Sequence, residues 1–255
     1  MLFIIQLGLT LGFSLLLHFV IGKYPTPLPR SRNRNREIWS VIVLWAILFI
    51  SLTITMLVIP QSELIEPRFG VVAITNLALI PFWVLIPLFV VLRMNHWTAK
   101  DLGFSMPRSR SVTIFSISVM ALSGALTFFE PGFKPLPVWL VFMSLYQPAF
   151  TEEFFFRGVI QGKLERALGQ KKASFFSGIL FGLMHASVNF FGQQWFRYGE
   201  NLNSALILLG IQTIFGWIFG IMYMKSRSLL PSFIAHYLID GRLASIIYYL
   251  AGAIS

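Results

Sequence analysis

Glu152 and Glu153 stand side by side in Gln147-Pro-Ala-Phe-Thr-Glu-Glu-Phe-Phe-Phe-Arg-Gly158, a stretch otherwise fit for a lipid bilayer. Ionisable groups at bilayer depth cost about 2.5–3.5 kcal/mol each on insertion scales and mark functional sites. On a helix, Glu153 and Arg157 are i and i+4, so they share a face and can pair. Glu152 is rotated by about 100° on the same helix and gains no such partner. Two further stretches carry polar groups in apolar surroundings: Phe181-Gly-Leu-Met-His185-Ala-Ser-Val-Asn189 and His236-Tyr-Leu-Ile-Asp240. In each, a histidine is followed four residues later by an amide or a carboxylate, which puts the two on one helix face. A carboxylate and an imidazole sharing a water can remove its proton and deliver hydroxide to a carbonyl. A second imidazole and its neighbour can donate hydrogen bonds to the oxyanion that forms. The set suits peptide hydrolysis inside a membrane. Other catalytic plans fit poorly: no histidine begins an H-E-x-x-H zinc motif, and cysteine is absent. Ser123-Gly124 and Ser177-Gly178 lack a nucleophile context.

The elements that must hold these residues are membrane helices. The 255 residues are 56% hydrophobic and 12% charged, with a mean hydropathy of +0.74, where a soluble domain carries roughly 25% charged residues. Eight apolar segments are each long enough to cross a ~30 Å core, near residues 2–21, 38–59, 70–92, 112–129, 137–157, 173–191, 203–224 and 229–249. The fold class expected is therefore all-α, a polytopic membrane protein of about eight spans. Residues 2–21 lack a basic leader and a small-residue cleavage site, so they read as a retained first span.

The net charge of +10 is a topology signal rather than a nucleic-acid patch. Lys23, Arg30, Arg32, Arg34 and Arg36 fill the first connection, and Arg93, Lys100, Arg108 and Arg110 the third. Lys163, Arg166, Lys171 and Lys172 fill the fifth, and Lys225 and Arg227 the last. The intervening connections hold only Arg68, Lys134 and Arg197. Basic loops stay in the cytoplasm, which puts both termini outside and the first connection against anionic headgroups. Counting ~1.5 Å per residue from Lys172, Arg227 and Lys163 places His185, His236 and Glu152 roughly 20, 14 and 16 Å into the membrane. Three separately threaded helices thus bring polar groups to matched depth. Glycine pairs at 8 and 12, 178 and 182, and 216 and 220 have the spacing that lets such helices pack closely. Pro81 and Pro87 are expected to kink the third span and Pro148 the fifth. His18 is read as a helix-to-helix hydrogen-bond donor.

Glu152-Glu153-x-x-x-Arg157, Phe181-x-x-x-His185 with Asn189, and His236-x-x-x-Asp240 together resemble the motifs of the CAAX protease and bacteriocin-processing family. That family includes the type II CAAX prenyl proteases. The resemblance covers about residues 137–245, and the first four spans show none of it beyond a compatible count. It implies an all-helical intramembrane peptidase whose site opens toward the cytoplasm. By matched position, Glu152 and His185 activate water, while His236 and residue 240 form the oxyanion pocket. Glu153 and Arg157 are then structural, and Asn189 supports His185. Asp240 departs from the family, which usually has Asn there. An ionised Asp cannot donate to an oxyanion, so it must be protonated, orient His236 or bind metal. A metal-free glutamate mechanism is favoured, with no cofactor. The alternative is Zn²⁺ held by Glu152, His185, His236 and Asp240.

The expected organisation is an N-terminal four-helix membrane region, 1–136, and a CAAX-protease-like core, 137–249, in one integrated membrane domain. The function expected is an intramembrane endopeptidase acting on a membrane-embedded or lipidated peptide, in the plasma membrane, with the lipid bilayer as its other partner and no nucleic acid. The competing readings are a transporter or proton relay, and a non-catalytic membrane scaffold. A transporter commonly shows matching halves, which this chain lacks, and a scaffold does not require a complete acid, base and oxyanion set. The loop assignment is directly testable because the chain has no native cysteine. A single cysteine introduced at Ser31 should resist an impermeant thiol reagent in intact cells and react after permeabilisation. Labelling in intact cells would overturn the orientation.

Overall fold

The structure, a computed structural model, describes residues 8, 12, 13, 15–59, 68–191, 202–239 and 242–252. Among them there are helices and turns and no strand. Five helices are long and apolar enough to cross a membrane: Arg34–Val58 (α1), Phe69–Asn95 (α2), Arg110–Phe129 (α3), Gln170–Phe191 (α6) and Ala205–Ser226, part of α7 (Leu202–Ser226). The chain is an integral membrane protein. Half of the expected first span lies outside the described residues, as do the connection around 60–67 and Arg197.

Two expected spans are broken rather than continuous. The fifth consists of α4 (Val138–Ser144), a wide π-turn over Leu145–Phe150 in which Gln147 is extended, and a second helix, α5, over 151–168. Pro148 supplies no N–H to continue α4, and its bond to Gln147 is cis. The eighth consists of α8 (Leu229–Leu238) and α9 (Arg242–Gly252), with Ile239 extended between them. The helix α5 runs to Leu168, well past the expected end at 157. Lys163, expected in a loop, lies within the helix, buried and salt-bridged to Glu37 at 2.8 Å. In α2 the proline at 81 opens a π-turn over Pro81–Leu85 and the helix then continues.

The chain groups into two compact units. The first comprises residues 1–25, 103–153 and 221–255. Here α3 crosses the paired helices α8 and α9 at Gly124, where an added Cβ would lie 2.1 Å from the carbonyl oxygen of Leu238. Only a residue without a side chain lets α3 approach the end of α8 that carries His236. The ammonium of Lys225 sits among the carbonyls of Leu17, His18, Ile21 and Gly22 and over the ring of Tyr24. It satisfies the orphan acceptors at the end of the first helix. His18 Nδ1 meets the Tyr24 hydroxyl at 2.6 Å.

The second unit comprises residues 26–102 and 154–220. The α6–α7 contact is a glycine seam. An added Cβ at Gly178 would fall 2.7 Å from Trp217 N, and one at Gly182 2.9 Å from Thr213 Cα. From the other side, one at Gly216 would fall 3.0 Å from Gly178 Cα. Gly178 and Gly216 thus meet directly, Gly182 admits Thr213 and Gly220 admits Ser174 and Gln161, while Gly8 and Gly12 have nothing within 4 Å of a Cβ. A pair not singled out in the sequence, Gly158 and Gly162, does the same on α5: it admits Leu102 O and the ring of Trp97. Gly169, at φ +91°, makes the left-handed turn from α5 to α6 that other residues rarely adopt.

Charge ties this unit together at its polar edge. Asn33 caps α1 by accepting from Arg36 N, and Glu37, one turn in, accepts from Lys163 and from Asn95. Arg166 pairs with Asp101 at 2.7 Å and lies over Trp97. Burial alone raises the Asp101 carboxyl, but the Thr98 N–H and hydroxyl and the Arg166 guanidinium outweigh it and hold the group below the usual carboxylate range. Its contribution to stability is therefore full above the unfolded value of about 3.9 and is lost as pH falls through the lower folded value.

Two outcomes follow. Gly178→Ala should lower the melting temperature in detergent, since overpacking costs about 1–3 kcal/mol, whereas Gly12→Ala should leave it unchanged; equal melting of the two would refute the seam. Asp101→Asn should melt below the parent at neutral pH, with the gap closing on acidification below about pH 4. A gap independent of pH would show that the carboxylate charge contributes nothing.

Candidate active site

The cis Gln147–Pro148 bond and the π-turn around it set the start of α5. The Thr151 hydroxyl donates to the Gln147 side-chain oxygen, tying the first turn of α5 back across the break. Glu152 and Glu153 follow in that turn, 6% and 1% exposed. Facing them in the same unit is His236 on α8, 4% exposed. Ser228 caps α8 by accepting from Leu230 N, and the hydroxyl of Tyr237, next to His236, donates to Val141 O on α4.

The imidazole of His236 has a carboxylate at each nitrogen. Nδ1 is 3.1 Å from Glu153 Oε1, and Nε2 is 3.9 Å from Glu152 Oε2. The first is a hydrogen bond; the second is an electrostatic contact just beyond hydrogen-bond reach. The sequence reading gave Glu153 only Arg157 as a partner and gave Glu152 none on its own helix. Neither reading anticipated that one histidine meets both. Carboxylates only accept, so the Nδ1 hydrogen bond is donated to Glu153, and Nε2 faces Glu152.

Asp240 lies outside the described residues. The helix α8 ends at Leu238. Among the described residues no three His, Cys, Asp or Glu side chains gather as a metal site.

Arg157, His185 and Asn189 belong to the second unit. A π-turn over Phe154–Gln161 carries Arg157, which is 0% exposed, over the rings of Phe156, Phe181 and Phe219. The same turn leaves the carbonyl of Phe156 to accept from the Ser177 hydroxyl at 3.2 Å. Gln161, fully buried, donates to Gly220 O on α7 at 2.8 Å. His185 sits at a break within α6, between Gln170–Met184 and Ala186–Phe191, and its Nδ1 lies 2.9 Å from Phe181 O. Asn189 donates its amide to Gln212 Oε1 at 2.9 Å. The structural parts played by Gln161 and Gln212, and the tie from Gln147 to Thr151, have no spacing signal, because lone polar residues in apolar spans carry none. The only clue was the proline beside Gln147.

Buried acidic side chains beside an imidazole on broken helices are compatible with hydrolysis inside a membrane. Residues 134–241 match the family model described as Rce1-like, Type II CAAX prenyl endopeptidase Rce1-like. The three motif stretches all lie within the matched segment, and this similarity supports a protease. No curated protein and no solved structure matches the chain.

Proposed function

We propose that the protein is an intramembrane endopeptidase of the CAAX type, hydrolysing a peptide bond in a membrane-associated or lipidated protein. The observation that carries this is the buried His236 with a carboxylate at each ring nitrogen, inside the segment that matches the family model. In this reading Glu152 and His185 take a proton from water, and the hydroxide formed attacks the scissile carbonyl. His236, held by Glu153 through Nδ1, and Asp240 support the oxyanion. The proton taken from water then passes to the leaving amine. Glu153 is a positioning residue for His236, and Asn189 supports its own helix through Gln212. The site opens toward the cytoplasmic face of the plasma membrane, and no metal takes part.

The roles are separable. Glu152→Gln should abolish cleavage of a farnesylated fluorogenic CAAX peptide, with folded yield unchanged. Glu153→Gln should mainly lower folded yield, because it removes a buried charge from its partners. The reverse pattern would overturn the assignment. Asp240→Asn should keep activity at least in part, since the amide is an obligate donor of the same shape. Purified protein should carry no stoichiometric zinc and tolerate chelators. An inactive Asp240→Asn variant together with one zinc per chain would refute the metal-free mechanism. In cells, Glu152→Ala should cause the physiological substrates to accumulate uncleaved.

A further inference from the structure

Arg157 is wrapped in aromatic rings, and one of those rings leads to His185. The guanidinium lies 4.7 Å from the centre of the Phe181 ring, 5.6 Å from Phe219 and 5.8 Å from Phe156. Ring faces carry negative charge density and attract a cation most strongly where water is excluded. Phe156 packs edge-on against Phe181, with centroids 5.1 Å apart and planes at 73°. The Phe181 ring is therefore held by a cation at its face and a second ring at its edge.

Phe181 in turn grips His185 twice. Its ring centroid is 4.8 Å from the imidazole, with the planes at 49°. Its main-chain carbonyl lies 2.9 Å from His185 Nδ1. A carbonyl only accepts, so Nδ1 carries the hydrogen and the lone pair resides on Nε2. The carbonyl accepts the Nδ1 hydrogen, and the ring holds the imidazole in the plane where that bond forms, so the tautomer depends on both. His185 needs both constraints because it sits at a break in α6, where its own N–H has shifted to Gly182 O at 3.0 Å.

We propose that Arg157 is a positioning residue for His185, acting through Phe181: the guanidinium holds the ring, and Phe181 holds the imidazole with Nε2 presented as proton acceptor. This rests on the role of His185 in water activation proposed above. The relay gives a buried cation in an apolar span a task beyond pairing with a glutamate.

The test uses full-length protein in detergent micelles and the farnesylated fluorogenic CAAX peptide as probe. Arg157→Met removes the charge and Phe181→Leu removes the ring. Each should lower kcat by about 10²-fold, the cost of misplacing a catalytic group by about 1 Å, with KM changed by less than about twofold. Arg157→Lys and Phe181→Tyr, which keep a cation and a ring, should recover most of the loss. The chain has four histidines, so ¹⁵N spectra of labelled imidazoles can resolve His185, identified by its loss in His185→Gln. The parent should show one Nδ1–H tautomer, and Arg157→Met and Phe181→Leu should show a mixture. A purely structural role for Arg157 would lower folded yield without altering the tautomer of the protein recovered. A tautomer unchanged in both variants, or kcat within about twofold of the parent, overturns the relay. If Arg157→Met is not recovered folded, Phe181→Leu decides alone. Full activity in His185→Gln would overturn the catalytic role of His185 and the relay with it. An inactive His185→Gln beside unimpaired Arg157→Met and Phe181→Leu would overturn the relay only. If the parent leaves the probe uncut, the CAAX reading fails and the spectra still decide the positioning.

Discussion

Every polar group at membrane depth has to find its partner within the chain, because lipid offers none. That constraint explains more of this structure than the hydrophobic effect does. Lys163 reaches Glu37 and Asn95, Lys225 takes four carbonyls, Gln161 donates to a helix carbonyl and Arg157 rests on three rings. Apart from the Phe156 ring beside Arg157, these pairings join residues distant in sequence. Each one selects which helices must lie together, and the glycine contacts at 124, 178, 182 and 216 let them come close enough to do so.

The same constraint accounts for where the helices are irregular. A π-turn or a proline break releases backbone carbonyls, and each released group is an energetic liability unless a side chain takes it up. Around Phe154–Gln161 the Ser177 hydroxyl takes the Phe156 carbonyl. Around Leu145–Phe150 the side chains of Gln147 and Thr151 engage one another. Irregular backbone is concentrated on the segment that carries Glu152, Glu153 and Arg157, where an ideal helix would aim consecutive side chains at fixed 100° intervals. A wider turn re-aims them.

Much of this was legible in the sequence. The helical class, the membrane setting and three motif stretches follow from composition, apolar run length and the spacing of ionisable residues. The glycine pairs of α6 and α7 could be read from four-residue spacings, although the same signal at Gly8 and Gly12 carries no contact. What spacing could not show was tertiary in origin. Lys163 looks like a loop residue until Glu37, 126 positions away, is seen beside it. The spacing of Glu153 and Arg157 suggests a simple pair, whereas His236 approaches Glu153 from a helix 83 positions distant. Apolar runs of twenty residues read as single spans, and only the geometry at Gln147 and Ile239 shows them as two short helices each.

The grip of Lys225 on the end of the first helix also has a meaning in time. The ammonium and the carbonyl of Leu17 are 208 residues apart. At roughly 5–20 residues per second, a ribosome takes on the order of 10–40 s to make the chain between them. Throughout that interval the four carbonyls are exposed to water or headgroups, and the first helix end is provisional. This contact therefore closes in a set order, because the helix carrying Lys225 is made after the helix end that it completes.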